Sequence, residues 1–94
     1  MTERQLQDAI VALATVLGYR HFHAYDMRRS DAGWPDLVLV RGGSMRVLEC
    51  KTATGKVTPA QEEWLGALGA VPGVECHIAR PDDWREGRVE QWLR

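Results

Sequence analysis

Pro35-Asp36-Leu37-Val38-Leu39-Val40, Arg41-Gly42-Gly43-Ser44 and Met45-Arg46-Val47-Leu48-Glu49-Cys50 form one uninterrupted stretch, with Lys51 directly after it. Two nearly continuous apolar runs flank a glycine pair, which reads as two strands joined by a tight hairpin. Runs of this kind suit strands covered on both faces by helices. With Gly42-Gly43 as the two-residue turn, Arg41 pairs with Ser44. Counting outward from that pair, Asp36 falls opposite Glu49. Directly opposed residues share a face, with Cβ atoms roughly 4.5–5.5 Å apart. Lys51 lies two residues beyond Glu49 and so projects from the same face. A slip of one residue would separate the three, so their convergence depends on that turn.

The flanking sequence places this hairpin in a larger frame. Thr2 and Gln5 form a capping-box pattern, and Leu6, Ile10, Leu13 and Leu17 recur at helical spacing. A first helix from Glu3 to Leu17, stopped by Gly18, is expected. Arg20 to Tyr25 alternates like a strand, and Asp26 to Trp34 reads as a loop. Thr58-Pro59-Ala60-Gln61 opens a second helix with Trp64, Leu65 and Leu68 toward the core. Val74 to Ala79 is a fourth strand, and Pro81-Asp82-Asp83 starts a last helix carrying Trp84, Val89, Trp92 and Leu93. The first three strands then form an antiparallel meander. The helical crossover sets the fourth parallel to the third. The expected fold is α/β, a central mixed four-stranded sheet flanked by helices, with residues 1–94 forming one domain.

Bulk properties agree with a small folded domain. The chain has 94 residues, 45% hydrophobic and 27% charged, which excludes a disordered class. No apolar run spans a membrane, and Met1 to Gln5 lacks a signal peptide's apolar core, so a cytoplasmic protein is expected. The net charge of −1 gives no overall basic character, so any nucleic-acid contact must come from local patches. Cys50 and Cys76 both fall in apolar strand-like segments and read as reduced core thiols.

Asp36 opposite Glu49 sets two carboxylates against each other on strands with little other polarity. A hard divalent cation compensates such a pair, since Mg²⁺ takes one or two carboxylates plus waters and phosphate oxygens. The Lys51 ammonium would hold a water or stabilise charge on a phosphate. The plainer alternative makes Asp36 a strand-edge residue after Pro35, and Glu49 and Lys51 a solvated pair.

With Gly33-Trp34-Pro35-Asp36-Leu37, Glu49-Cys50-Lys51 and Gln61, the chain resembles the VRR-NUC family of the PD-(D/E)XK nuclease superfamily. It is most similar to short, stand-alone forms from phages and bacteria. The resemblance spans nearly the whole chain and includes Glu3 and the segment Arg80-Pro81-Asp82-Asp83-Trp84. It implies a restriction-endonuclease-like αβββαβ core. It also implies that Asp36, Glu49 and the Cys50 backbone carbonyl bind Mg²⁺ or Mn²⁺, with Glu3 and Gln61 in support and Lys51 catalytic. The implied activity is cleavage of Holliday junctions or flaps by a homodimer. Two alternatives remain: a non-catalytic DNA-binding module on the same fold, and a restriction-like or exonucleolytic member of the superfamily.

Other residues have two readings each. Glu3 in a first turn suits the helix dipole, and Gln61 suits a capping box. Arg28, Arg29 and Lys56 flank the hairpin site and would contact DNA phosphates or lie solvated. His21 and His23 share a face of the first strand and suit a surface or DNA-facing role. Trp34 adjoins the site and reads as core or cover. The chain's four tryptophans, with the apolar last helix, exceed what so small a core requires and point to a homodimer interface.

Overall fold

A computed structural model describes residues 1–23 and 32–94. Ala24 and Tyr25, most of the expected Asp26–Trp34 loop, and the candidate DNA contacts Arg28 and Arg29 lie outside the described residues. The elements run α1 (Glu3–Val16), β1 (Arg20–His23), β2 (Leu37–Arg41), β3 (Ser44–Cys50), α2 (Pro59–Gly69), β4 (Val74–Ala79), α3 (Pro81–Arg85) and α4 (Arg88–Leu93). One sheet holds all four strands in the order β1-β2-β3-β4. β1 and β3 flank β2 antiparallel, and β4 joins β3 parallel. This is the mixed four-stranded α/β sheet expected from the sequence.

The hairpin register is also the expected one. Arg41 pairs with Ser44, and the ladder runs through Leu39–Arg46 to Leu37–Leu48. Pro35 has no amide hydrogen to extend it. Each face of the sheet is therefore set by this turn. Leu37, Leu39, Leu48, Cys50 and Ala79 point to one side, where they pack with Leu6, Ile10 and Ala14 of α1 and Val89 and Leu93 of α4. Every one of these side chains is fully buried. Burying a leucine or isoleucine stabilises a fold by about 1.5–3 kcal/mol, so this face supplies most of the cohesion. Tyr19 closes it by donating its hydroxyl to the Leu93 carbonyl at 2.9 Å.

The opposite face is covered unevenly. α2 packs on β4, yet none of its residues is fully buried; Trp64, Leu65 and Leu68 are only half-buried, not core as expected. Phe22 of β1 remains 58% exposed and Val40 of β2 38% exposed. Coverage on both faces is thus corrected: with eleven residues, α2 lies over the β3–β4 half of the sheet, where Val47 is buried but Ile78 of β4 stays 36% exposed.

The single last helix is corrected as well. It is two short helices, α3 and α4, separated by Glu86 and Gly87. Gly87 has φ +82°, a left-handed conformation that glycine adopts without a Cβ penalty, so the chain turns there. That turn folds α4 back onto α1. Val89 and Leu93 enter the core, with Trp84 and Trp92 against them. Trp34 meets Trp64 edge-on, ring centroids 4.9 Å apart. All four tryptophans therefore have packing roles within one chain, and they no longer argue for a second subunit.

Candidate active site

The site lies where β2 begins and β3 ends, on the side of the sheet that α2 covers. Gly33 sets the entry. Its φ is +85°, and a Cβ there would fall 2.4 Å from the Ala60 carbonyl carbon and oxygen and 2.7 Å from the Gln61 nitrogen. Only glycine permits this approach of the strand-entry chain to the first turn of α2. The contact brings Asp36, three residues on, under the N-terminus of the helix that carries Gln61.

Asp36 Oδ2 accepts a hydrogen bond from the Cys50 amide at 2.8 Å. The carboxylate so completes the hairpin pairing that Pro35 interrupts, and it lies beside Glu49. Glu49 is 3% exposed, the one buried charged residue among those described. Gln61 Nε2 donates to Glu49 Oε2 at 3.1 Å, and Lys51 Nζ lies 3.7 Å from the same oxygen. The other oxygen, Oε1, is buried with no hydrogen-bond partner.

The ionisation of Glu49 follows from this environment. Burial is the largest influence, and the negative charge of Asp36 adds to it. Lys51 opposes both, yet the carboxyl is pushed up to about 8. Metal-free protein at neutral pH therefore holds Glu49 mostly protonated. A buried carboxyl beside a second carboxylate, with one oxygen unpartnered, is a polar group left unsatisfied by the protein itself. A hard cation fits there: Oε1 has no hydrogen-bond partner, whereas Gln61 Nε2 and Lys51 Nζ both approach Oε2.

The remaining donor set agrees. Burial, helped by the charges of Asp36, Glu49 and Glu3, pushes the Cys50 thiol far up, so it stays protonated and is no soft ligand. Its side chain belongs to the α1 face, whereas Cys76, paired with Val47, belongs to the α2 face. Both thiols are free, as expected. Among the described residues no three His, Cys, Asp or Glu side chains form a metal cage. Mg²⁺ needs none, because two carboxylates with waters suffice.

Gln61 performs two tasks with one amide. Its Oε1 accepts from the Thr58 amide at 2.9 Å while its own backbone amide donates to Thr58 Oγ1 at 3.2 Å, the reciprocal capping box. Because Oε1 is committed to the cap, Nε2 is left to donate to Glu49. Capping and site contact are thus the same geometry, and the two readings of Gln61 do not compete.

The other candidates stand as follows. Glu3 is exposed in the first turn of α1, beside the Thr2–Gln5 capping box, and its charge reaches Cys50. Among the described residues it forms no cluster of three metal-ligating side chains with Asp36 and Glu49. Lys56 is exposed on the segment between β3 and α2. His21 is exposed, and His23 has its ring held below the ordinary imidazole value by burial, with Asp36 and Asp8 pulling the other way. No helix among the described residues is long and apolar enough to cross a membrane.

A further arrangement was not legible in the sequence. Arg80, at the end of β4, sends Nη1 to the carbonyls of Thr52 at 2.7 Å and Gly55 at 2.8 Å. Its backbone amide donates to Asp83 Oδ2 at 2.8 Å. The only signal was the Arg80–Trp84 segment itself, which marks a position and not a partner.

Comparison with known proteins closes on the same fold. A solved structure described as a VRR_NUC domain protein superimposes with a TM-score of 0.70 and 21% identity, covering 98% of this chain and 88% of that one. No curated protein matches the sequence. The profile of the VRR-NUC domain matches residues 2–80, which contain every element from α1 to β4 and all the residues of the hairpin site. The chain belongs to the VRR-NUC domain family and carries its nuclease-type fold.

Proposed function

We propose that this protein is a Mg²⁺- or Mn²⁺-dependent deoxyribonuclease that hydrolyses phosphodiester bonds in branched DNA. The observation that carries the reading is the Asp36–Glu49 pair with Glu49 Oε1 buried and unpartnered. Asp36, Glu49 and the Cys50 carbonyl would hold the ion. When bound, it supplies Lewis acidity that polarises the phosphate and eases deprotonation of the attacking water.

The chain's own residues do the rest. Gln61 fixes Glu49 through Oε2 and so keeps Oε1 available. Asp36, tethered to the Cys50 amide, keeps the second carboxylate in register with the hairpin. Lys51 places a positive charge at Glu49 Oε2, where it orients water and stabilises charge that develops on the phosphate oxygens. A P–O bond to the water oxygen forms as the P–O ester bond breaks, and the leaving oxygen takes up a proton. Arg28, Arg29 and Lys56 would neutralise DNA phosphates on either side.

Selection of branched DNA follows in this reading from a homodimer, whose two-fold axis would set two identical sites against two strands. The thin stability margin of a 94-residue chain supports association. Labelled four-way junction, flap and plain duplex DNA, each with Mg²⁺, Mn²⁺ or EDTA, test the proposal. Metal-dependent cutting of the branched substrates is expected. Binding without cutting under all conditions would leave a DNA-binding module on a nuclease fold. A sedimenting mass near 10.6 kDa with and without junction DNA would end the dimer part.

A further inference from the structure

The segment after Lys51 is tied down from a distance. Thr52 to Gly55 forms a tight turn in which the Gly55 amide donates to Thr52 Oγ1 at 3.0 Å. The turn backs onto the catalytic candidate: a Cβ at Gly55 would sit 3.7 Å from Lys51 Cδ. Nothing in the turn's own composition, Thr52-Ala53-Thr54-Gly55, would hold it there, because its residues are small and mostly exposed. Arg80 supplies the hold. One guanidinium nitrogen takes the carbonyls at both ends of the turn. A charged donor makes each such bond stronger than a neutral one. The Arg80 backbone is itself fixed, by Asp83, whose second oxygen accepts from Arg88 Nε at 2.6 Å. Register adds a further tie: the Lys51 amide donates to the carbonyl of Ala79, the residue before Arg80, at 2.9 Å.

We propose that Arg80 is a positioning residue for Lys51: its guanidinium clamps the 52–55 turn against the lysine stem and thereby keeps the ammonium at Glu49. This rests on the nuclease reading for its consequence, though not for its geometry. Lys51 is a four-carbon chain whose side chain is only 12% exposed, and its Nζ lies 3.7 Å from Glu49 Oε2. Without the clamp the turn is free to swing, and the ammonium loses the wall that confines it. Arginine suits the task because the two N–H groups of Nη1 diverge in the fixed guanidinium plane toward the two carbonyls, a geometry that the freely rotating lysine ammonium does not preset.

Two measurements on the full chain test this. In the first, wild type, Arg80→Ala and Arg80→Lys are pulse-acetylated without metal or DNA, and mass spectrometry reads the labelling of Lys51 relative to Lys56. Lys56 is exposed and serves as the internal reference. The Lys51/Lys56 ratio is expected to rise several-fold in Arg80→Ala and less in Arg80→Lys, with circular dichroism unchanged. Arg88→Ala, which breaks the Asp83 pair but leaves the carbonyl clamp, is expected to match wild type. In the second, metal-dependent DNA cleavage is compared under saturating Mg²⁺. Arg80→Ala is expected to lower kcat roughly 10- to 100-fold, as loss of positioning does, with KM and the Mg²⁺ midpoint nearly unchanged.

An unchanged labelling ratio in folded Arg80→Ala overturns the clamp. Should Arg80→Ala fail to fold, the same ratio in Arg80→Met, which keeps the apolar stem and removes both donors, decides. A raised ratio with wild-type kcat overturns its role in the reaction. Wild-type protein that cuts no DNA overturns the nuclease reading instead, and the labelling ratio still decides whether Arg80 holds Lys51.

Discussion

Replacing Glu49 by glutamine removes a strongly displaced carboxyl ionisation while preserving the side chain's shape. In the folded, metal-free protein the Glu49 carboxyl titrates near 8, against an ordinary value of 4.5. Between those two pH values the folded state holds a proton that the unfolded chain has released. Stability therefore falls as pH rises, by about 1.36 kcal/mol per pH unit for one proton. Across the whole window the loss is on the order of 3–5 kcal/mol, a large share of the 5–15 kcal/mol typical of a domain. Glutamine is neutral at every pH. Its carbonyl oxygen still accepts from Gln61 Nε2, and its amide nitrogen would donate toward Asp36. Metal-free Glu49→Gln should match wild type within about 1 kcal/mol at pH 5 and exceed it by on the order of 3–5 kcal/mol at pH 8.5. Urea unfolding in EDTA, followed by tryptophan fluorescence, measures both. Other groups that titrate in this range, such as His23, largely cancel in the difference between variant and wild type. A difference that stays constant from pH 5 to 8.5 would refute the burial argument for Glu49. The same pair of proteins reports on the ion: Mg²⁺ at 100 times its Kd should stabilise wild type by about 2.7 kcal/mol and the variant far less.

Asp36→Asn and Lys51→Ala should each abolish metal-dependent cleavage with the fold retained; calorimetry should show Mg²⁺ binding lost in the first and largely kept in the second. Gly33→Ala should cost about 1–3 kcal/mol from backbone strain alone, and more from the collision with Ala60, as read by thermal unfolding. Leu93→Ala should destabilise the single chain by about 2–5 kcal/mol, because this side chain fills its own subunit's core; a change in oligomeric state without loss of stability would return α4 to the interface. Neutralising Arg28 and Arg29 together should reduce the log–log salt slope of DNA binding by about one for each DNA phosphate that these arginines neutralise, and an unchanged slope would make them ordinary solvated charges.

Local chemistry was enough to read much of this protein from its residues. The hairpin register follows from Gly42-Gly43 and the period of the strands, so Asp36 opposite Glu49 is legible in the sequence, as is the parallel fourth strand. Both capping boxes are i to i+3 patterns and are equally local. What sequence reading missed depends on distance along the chain. The period of an apolar helix says which side chains are buried but not by what. Trp84, Val89, Trp92 and Leu93 therefore read as surplus, when the left-handed turn at Gly87 folds them onto α1. The apolar strands likewise could not show that α2 would lie over only half the sheet. The proton on Glu49 is a consequence of burial, which no residue type carries by itself. The reach of Arg80 to Thr52 and Gly55 spans more than twenty positions and exists only because β4 lies parallel to β3. Pairing and capping are set by neighbours a few residues apart, whereas burial, charge state and long-range hydrogen bonds are set by whichever surfaces the closed fold brings together.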